Sequence, residues 1–318
     1  MKFRPIIIVP GDPFSIFIEI FFKALSAKYK KYKSPIILIY SKKDLILQMK
    51  KFSFKKKINL INQNYLNPKL DNRKINLINI EFDKSKDQMK RSLYVKKCLK
   101  MAFKLIKKGY TNKFVNGPID KKKILNKKYL GMTEYIASKF HQKNFAMLIY
   151  NRKLSVCPLT THLPLKDVSK NINQKLIIKK IKVINQFYKD YLKFKPKIAI
   201  TGLNPHCESI HNFNEDDNIV LPAVKKAKKM KINIKGPFSA DTIFLKKNRD
   251  KFDVVIGMYH DQVLGPFKTL FEYDAINIST GLPFLRVTPD HGPNFKMIGK
   301  NKSDPTSLIK CLKFLDNR

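Results

Sequence analysis

The stretch Asp253-Val254-Val255-Ile256-Gly257-Met258-Tyr259 is the feature that most restricts how this chain can fold. An unbroken β-branched run with no polar alternation is expected where both faces of a strand are covered, as in a parallel sheet layered between helices. The run delivers His260-Asp261-Gln262 at its carboxyl end, the edge at which open α/β sheets bind ligands. Two other apolar runs behave alike. Leu154–Leu159 leads into Thr160-Thr161-His162-Leu163-Pro164, and Lys197–Leu203 leads into Asn204-Pro205-His206. Three of the six histidines therefore follow strand-like segments, and on parallel neighbouring strands their imidazoles can converge. Three His without a fourth protein ligand leave a coordination position open, as a catalytic divalent-metal site requires. Taken singly, each reads more readily as a loop residue bonded to a backbone carbonyl. The shared placement favours the set, although the spacings match no short metal-binding motif.

Strand and helix patterns alternate along the whole chain, so the class is α/β. Ile6–Val9 reads as a strand, turned by Gly11-Asp12-Pro13 into a helix reaching about Ala27. Pro35–Tyr40 is a second strand, with Ser41 as N-cap of a helix through Lys50. Phe52 to Asp83 shows only weak strand signals. Asp87–Lys108 is an amphipathic helix with Met89, Leu93, Cys98, Leu99, Ala102, Phe103 and Ile106 on one side, and Gly109 closes it. Phe114–Pro118 is a short strand and tight turn before a basic loop, Lys121–Lys123. Gly131-Met132-Thr133-Glu134 then opens a helix. Ile172–Leu192 is a long helix, and Glu215-Asp216-Asp217 suits the start of another by opposing its dipole. Ile232–Ile234 reads as a strand before the turn Gly236–Thr242, which carries Asp241. Ser303-Asp304-Pro305 starts the last helix, with Pro just inside it.

The formal charge is +41, from 65 Lys+Arg against 24 Asp+Glu. Such a charge invites a nucleic-acid reading, but the lysines are spread along nearly the whole chain beside abundant Ile and Asn, as a compositional bias would leave them. No specific nucleic-acid partner is expected, only weak binding at low salt. Cys98, Cys157, Cys207 and Cys311 form no paired motif and read as reduced thiols. Cys207, next to His206, reads as an ordinary loop residue before a metal neighbour. No stretch approaches a membrane span or a signal-peptide core, so a cytoplasmic location is expected.

Five motifs taken in order, Thr161-His162-Leu163-Pro164-Leu165, Gly202-Leu203-Asn204-Pro205-His206, Ala240-Asp241-Thr242, Tyr259-His260-Asp261-Gln262 and Asn277–Arg286, resemble the 4-hydroxythreonine-4-phosphate dehydrogenase family of vitamin B6 biosynthesis. The resemblance runs from about Gly11 to the C-terminal helix. It implies two α/β/α lobes flanking a central cleft, similar to isocitrate and isopropylmalate dehydrogenases, with residues 1–130 plus 286–318 in one lobe and 131–285 in the other. It also implies a homodimer whose active sites use both subunits.

By the same resemblance His162, His206 and His260 are metal ligands, with zinc first and cobalt, manganese or magnesium as alternatives. Thr133, Lys268, Asn277 and Arg286 contact substrate, and Asp241 and Lys268 are catalytic. NAD, or NADP, is bound without a Gly-rich fingerprint, at a loop containing His291, Gly292 and Asn294. The implied reaction oxidises 4-phosphohydroxy-L-threonine to a 3-oxo acid that loses CO2 to give 3-amino-2-oxopropyl phosphate, toward pyridoxal 5'-phosphate. Two alternatives stand beside it: a dehydrogenase of 4-phospho-threonate or 4-phospho-erythronate, and a basic nucleic-acid-binding protein on a non-catalytic version of the fold. Two departures are visible. Met132 stands where the family usually has His, and Ser15 and Phe17 replace two glycines of its N-terminal loop.

Overall fold

The computed structural model describes residues 3–26, 32–62, 70–82, 85–119, 129, 131–289, 292 and 294–318. The expected basic loop Lys121–Lys123 lies outside them. The chain divides into two compact units, Met1–Tyr129 with Pro283–Arg318, and Leu130–Leu282.

In the first unit the strands are β1 (Ile6–Val9), β2 (Ile36–Tyr40), β3 (Ile58–Leu60), β4 (Ile75–Asn79), β5 (Lys113–Asn116) and β12 (Leu285–Pro289). Their order is β3-β4-β2-β1-β5-β12, and every pairing is parallel. The strands β1, β2, β5 and β12 are buried along their whole length; β1 and β2 read as continuous apolar runs for that reason, whereas β5 and β12 also bury Lys113, Asn116, Arg286 and Thr288.

Helices α1 (Phe17–Ala24), α2 (Lys42–Lys51), α3 (Gln88–Lys107) and α8 (Thr306–Asp316) belong to this unit. Ser41 caps α2 as expected, its hydroxyl accepting the Asp44 N–H. Asp87 caps α3 through the Met89 and Lys90 N–H groups. Helix α1 spans Phe17–Ala24, and past it the Ser26 hydroxyl donates to the Lys23 carbonyl and competes with the helical ladder; the expected end near Ala27 lies outside the described residues. The expected α3 stripe is corrected at its start. Met89 and Leu93 are exposed, and Tyr94 and Val95 face the core instead, because Tyr94 stacks on Phe82 at 4.4 Å and accepts the Ser41 N–H. Pro305 is the N-cap of α8, one residue outside the helix.

The second unit holds β6 (Ala146–Tyr150), β7 (Ser155–Pro158), β8 (Ile198–Thr201), β9 (Ile234–Phe238), β10 (Val254–Gly257) and β11 (Ile276–Thr280), ordered β11-β6-β7-β10-β8-β9. The core ladders β7–β10, β10–β8 and β8–β9 are parallel, whereas β6 pairs antiparallel with both β7 and β11. The strand β6 had no place in the sequence reading. The expected strand at Ile232–Ile234 starts later, at Ile234, and runs to Phe238. Lys231 reverses the chain in the left-handed region at φ 59°, and the ladder begins where Ile234 pairs with Ile198.

Helices α4 (Met132–Lys139), α5 (Gln174–Phe187), α6 (Leu221–Lys229) and α7 (His260–Phe271) belong to this unit, and α7 packs on β7 and β10. The long helix expected to Leu192 keeps α geometry only to Phe187. It widens into a π turn over Tyr188–Leu192 and ends at a left-handed Lys193.

One cation is buried on α5. Lys180 donates to the Phe145 carbonyl at 2.8 Å and lies 5.1 Å over the Phe145 ring. Burial lowers its pKa from the ordinary lysine value, opposed by Cys157 and Glu134. Between that lowered value and about 10.4, the unfolded chain binds more protons than the folded one, so this side chain makes stability rise with pH. Lys180→Met should flatten that rise in urea unfolding measured across alkaline pH. An unchanged slope would contradict the assignment.

Candidate active site

Strands β7, β10 and β8 lie side by side and parallel, so the expected set of histidines leaves one edge of one sheet. Side-chain hydrogen bonds hold that edge. Gln262, in the first turn of α7, accepts the Met258 N–H at 2.7 Å and the Thr201 hydroxyl at 2.8 Å. Its amide nitrogen donates to the Gly202 carbonyl at 2.8 Å. One buried carboxamide thereby ties the end of β10 to the end of β8. On the other side, the Thr160 hydroxyl donates to the Met258 carbonyl at 2.8 Å, and the Leu159 N–H donates to Gly257.

From this edge the His162 and His260 rings approach to 6.1 Å between centroids, tilted by 35°. His260 is partly exposed, and its Nδ1 stands 2.8 Å from Asp261 Oδ1. With Nδ1–H given to that carboxylate, the lone pair is on Nε2. Two imidazoles at this separation can share one divalent ion at metal–nitrogen distances of about 2.0–2.1 Å, and the donor chemistry suits one.

His206 is placed differently. It is exposed, and it sits with Cys207 in two consecutive left-handed conformations, φ 57° and 64°. Among the described residues no three His, Cys, Asp or Glu side chains are gathered as a metal cluster, and the ring contact at this edge is between His162 and His260. The fully buried Asp216 braces the His206 loop. Its carboxylate accepts the Leu203 N–H at 2.7 Å and the Asn204 N–H at 3.0 Å. Asn214 adds a bond to the Cys207 carbonyl at 3.2 Å. The acidic patch therefore does more than oppose a helix dipole, the role expected of it. Non-glycine residues held at positive φ persist only where surrounding contacts over-determine them.

Asp241 is fully exposed. The Ser239 hydroxyl donating to it holds its carboxyl below the ordinary range, with a lesser contribution from His206. Thr133, buried on α4, has its hydroxyl 3.0 Å from that of Ser279 on β11. The Asn277 amide oxygen is buried without a hydrogen-bond partner, the state of a group awaiting a donor. Lys268 lies on α7, half-buried, with Nζ donating to the Glu272 carbonyl at 3.3 Å. In the first unit, Arg286 is buried on β12 and donates to the Asn116 amide oxygen at 2.8 Å. Gly292 and Asn294 are exposed, and His291 lies outside the described residues. Met132 is buried in the first turn of α4. Phe17 is fully buried against Gly117, and the Ser15 hydroxyl donates to the Asp12 carbonyl at 2.7 Å, so both larger side chains are accommodated in the N-terminal loop.

The four cysteines are free thiols. Burial pushes Cys98 and Cys157 up to about 12, so neither is a nucleophile at neutral pH.

The sequence profile described as Pyridoxal phosphate biosynthetic protein PdxA matches residues 32–315. The chain belongs to this family. It is 39% identical to the 4-hydroxythreonine-4-phosphate dehydrogenase of Sulfurihydrogenibium sp. over 95% of this chain and 94% of that protein. It is 32% identical to the D-threonate 4-phosphate dehydrogenase of Salmonella typhimurium over 68% of this chain and 67% of the other. The crystal structure of the Klebsiella pneumoniae 4-hydroxythreonine-4-phosphate dehydrogenase superposes with a TM-score of 0.84 at 27% identity, covering 98% of each chain. Among the described residues of this PdxA-family member, no helix is long and apolar enough to cross a membrane.

Sequence reasoning gave Gln262 and Asp216 no such structural role. Gln262→Leu, which keeps the volume but leaves a buried amide and carbonyl unpaired at about 1–3 kcal/mol each, should destabilise the protein by roughly 2–6 kcal/mol in urea unfolding. A loss below about 0.5 kcal/mol, the scale of a neutral surface change, would show that the clamp is not what holds this edge.

Proposed function

We propose that this chain oxidises 4-phosphohydroxy-L-threonine with NAD or NADP, using a divalent metal, in pyridoxal 5'-phosphate biosynthesis. The observation that carries the reading is the His162–His260 pair at the ends of adjacent parallel strands, in a chain of the PdxA family. Family membership supports an oxidoreductase and a nicotinamide cofactor. The metal, zinc before cobalt, manganese or magnesium, is assigned to His162 and His260, with His206 as the third donor of the set.

When bound, the metal would polarise the substrate's C3 hydroxyl and the nicotinamide would accept a hydride. The C3–H pair leaves as hydride, the hydroxyl proton is lost, and a C3 carbonyl forms. In the resulting 3-oxo acid the bond to the carboxylate then breaks, CO2 departs, and the electron pair passes toward the carbonyl oxygen. Protonation at carbon yields 3-amino-2-oxopropyl phosphate.

Asp241, ionised at neutral pH and not buried, is assigned proton transfer. Lys268 is assigned both to catalysis and, as a point charge, to an anionic substrate group. Arg286 suits an anionic group through its planar fork. Thr133 and the unpartnered Asn277 oxygen are assigned neutral polar contacts. Gly292 and Asn294, with His291, are the proposed cofactor loop. A cytoplasmic homodimer is the proposed state.

A second reading, oxidation of a 4-phospho-threonate, is favoured by the Salmonella relative's activity and by Met132, a buried thioether that neither ionises nor donates a strong hydrogen bond.

Purified protein should form NADH from 4-phosphohydroxy-L-threonine, lose that activity to a chelator, and regain it with metal. His206→Ala and His260→Ala should each lower kcat/KM by about a hundredfold or more, the scale of several kcal/mol of lost charge stabilisation. Run in parallel, 4-phospho-D-threonate should turn over more slowly. Faster turnover of the hydroxy acid would select the second reading, and activity indifferent to chelator would contradict the metal assignment.

A further inference from the structure

The imidazole of His162 shares a crowded corner with a carboxylate. A Cβ built on Gly131 would stand 2.7 Å from Glu134 Oε2, 3.0 Å from His162 Cε1 and 3.2 Å from His162 Nδ1. One carboxylate oxygen and the Nδ1–Cε1 edge of the ring thus converge on a volume that only glycine leaves open. Gly131 is extended at φ −161°, so the demand is for space and not for backbone freedom. The other oxygen of Glu134 is tethered, accepting the Thr161 hydroxyl at 3.2 Å, from the residue just before His162.

Glu134 Oε2 is buried and accepts no hydrogen bond. A glutamate at the third helical position often reaches back to the cap N–H, but Oε2 makes no such bond, so capping does not account for it. Lys180 feels the charge of Glu134 yet directs its ammonium to the Phe145 carbonyl. A buried carboxylate oxygen without a donor is costly, and the polar edge that shares its space is the imidazole.

We propose that Glu134 is a positioning residue for His162. When a divalent ion engages Nε2, the Nδ1–H of His162 is donated to Glu134 Oε2, which fixes the tautomer and the aim of the ring. Thr161 holds the carboxylate, and Gly131 leaves room for it. Imidazoles that bind metals commonly give their second N–H to such a carboxylate, and its loss costs about 10–100-fold in metal affinity. The inference rests on His162 being a metal-site residue.

Cobalt(II) titrated into chelator-stripped full-length protein, followed by its visible absorption, reads affinity without turnover. Glu134→Gln, an isostere, should weaken binding about 10–100-fold with an unchanged melting midpoint of the metal-free protein, and Glu134→Asp should recover part of the loss. Thr161→Val, which removes only the tether, should give a smaller decrease and carries the test if Glu134→Gln does not fold. Native-like cobalt affinity in Glu134→Gln, or in Thr161→Val where that variant stands in, overturns the inference alone, provided His162→Ala does weaken binding. Native protein that fails to bind cobalt, or that binds it equally well without His162, overturns the metal reading and this inference with it.

Discussion

The Gln262 carboxamide is the contact on which the arrangement of this site depends. Parallel strands fix which residues are neighbours within the ladder, but the regular ladder ends at Gly257 and Thr201, and beyond it single backbone bonds remain, from the Gly202 N–H to Phe238 and from the Thr160 N–H to Met258. Gln262 adds the side-chain bonds that join the β10 and β8 exits. With both of its polar ends engaged by β10 and β8, and with Thr160 bonded to the other side of Met258, the exit of each chain is set before any ligand arrives. Pre-set geometry of this kind lets a binding site spend little free energy on ordering itself.

The two histidines in ring contact and the third are held by different means. His260 opens α7 just past the clamped end of β10, and His162 follows Thr160, which is bonded to Met258. His206 comes four residues after Gly202, on a loop whose left-handed backbone is enforced by Asp216 and Asn214. A loop held by a buried carboxylate can keep a strained conformation, and the exposed His206 at its tip can still reorient its side chain. Around this centre the charge is otherwise diffuse. The +41 excess belongs to the chain as a whole, and its physical consequence is a field that draws anionic small molecules toward the surface.

The α/β class and the placement of three histidines after strands were legible because buried parallel strands have an unmistakable pattern. The run Val254–Gly257 could only be covered on both faces, and it is. Cap residues were legible for the same local reason, as at Ser41. Most of what was not legible depended on partners distant in sequence. The strand β6 is an apolar run that pairs antiparallel with β7 just after it, a local signal that the expected elements lack, while its second partner, β11, is far away in sequence. Met89 and Leu93 fit the period of α3 but lost the core to Tyr94, whose partners Phe82 and Ser41 lie on other elements. Asp216 looked like a dipole-compensating residue because sequence shows its helix and not the Leu203 and Asn204 amides that it accepts.

The central claim is that His162 and His260 are two donors to one divalent ion. The most direct measurement is anomalous scattering from crystals of the zinc-loaded protein, collected on either side of the zinc absorption edge. The account predicts a single strong peak at about 2.0–2.1 Å from a ring nitrogen of each. A peak on other residues, or a fully loaded crystal in which both imidazoles stand free of the ion, would contradict it.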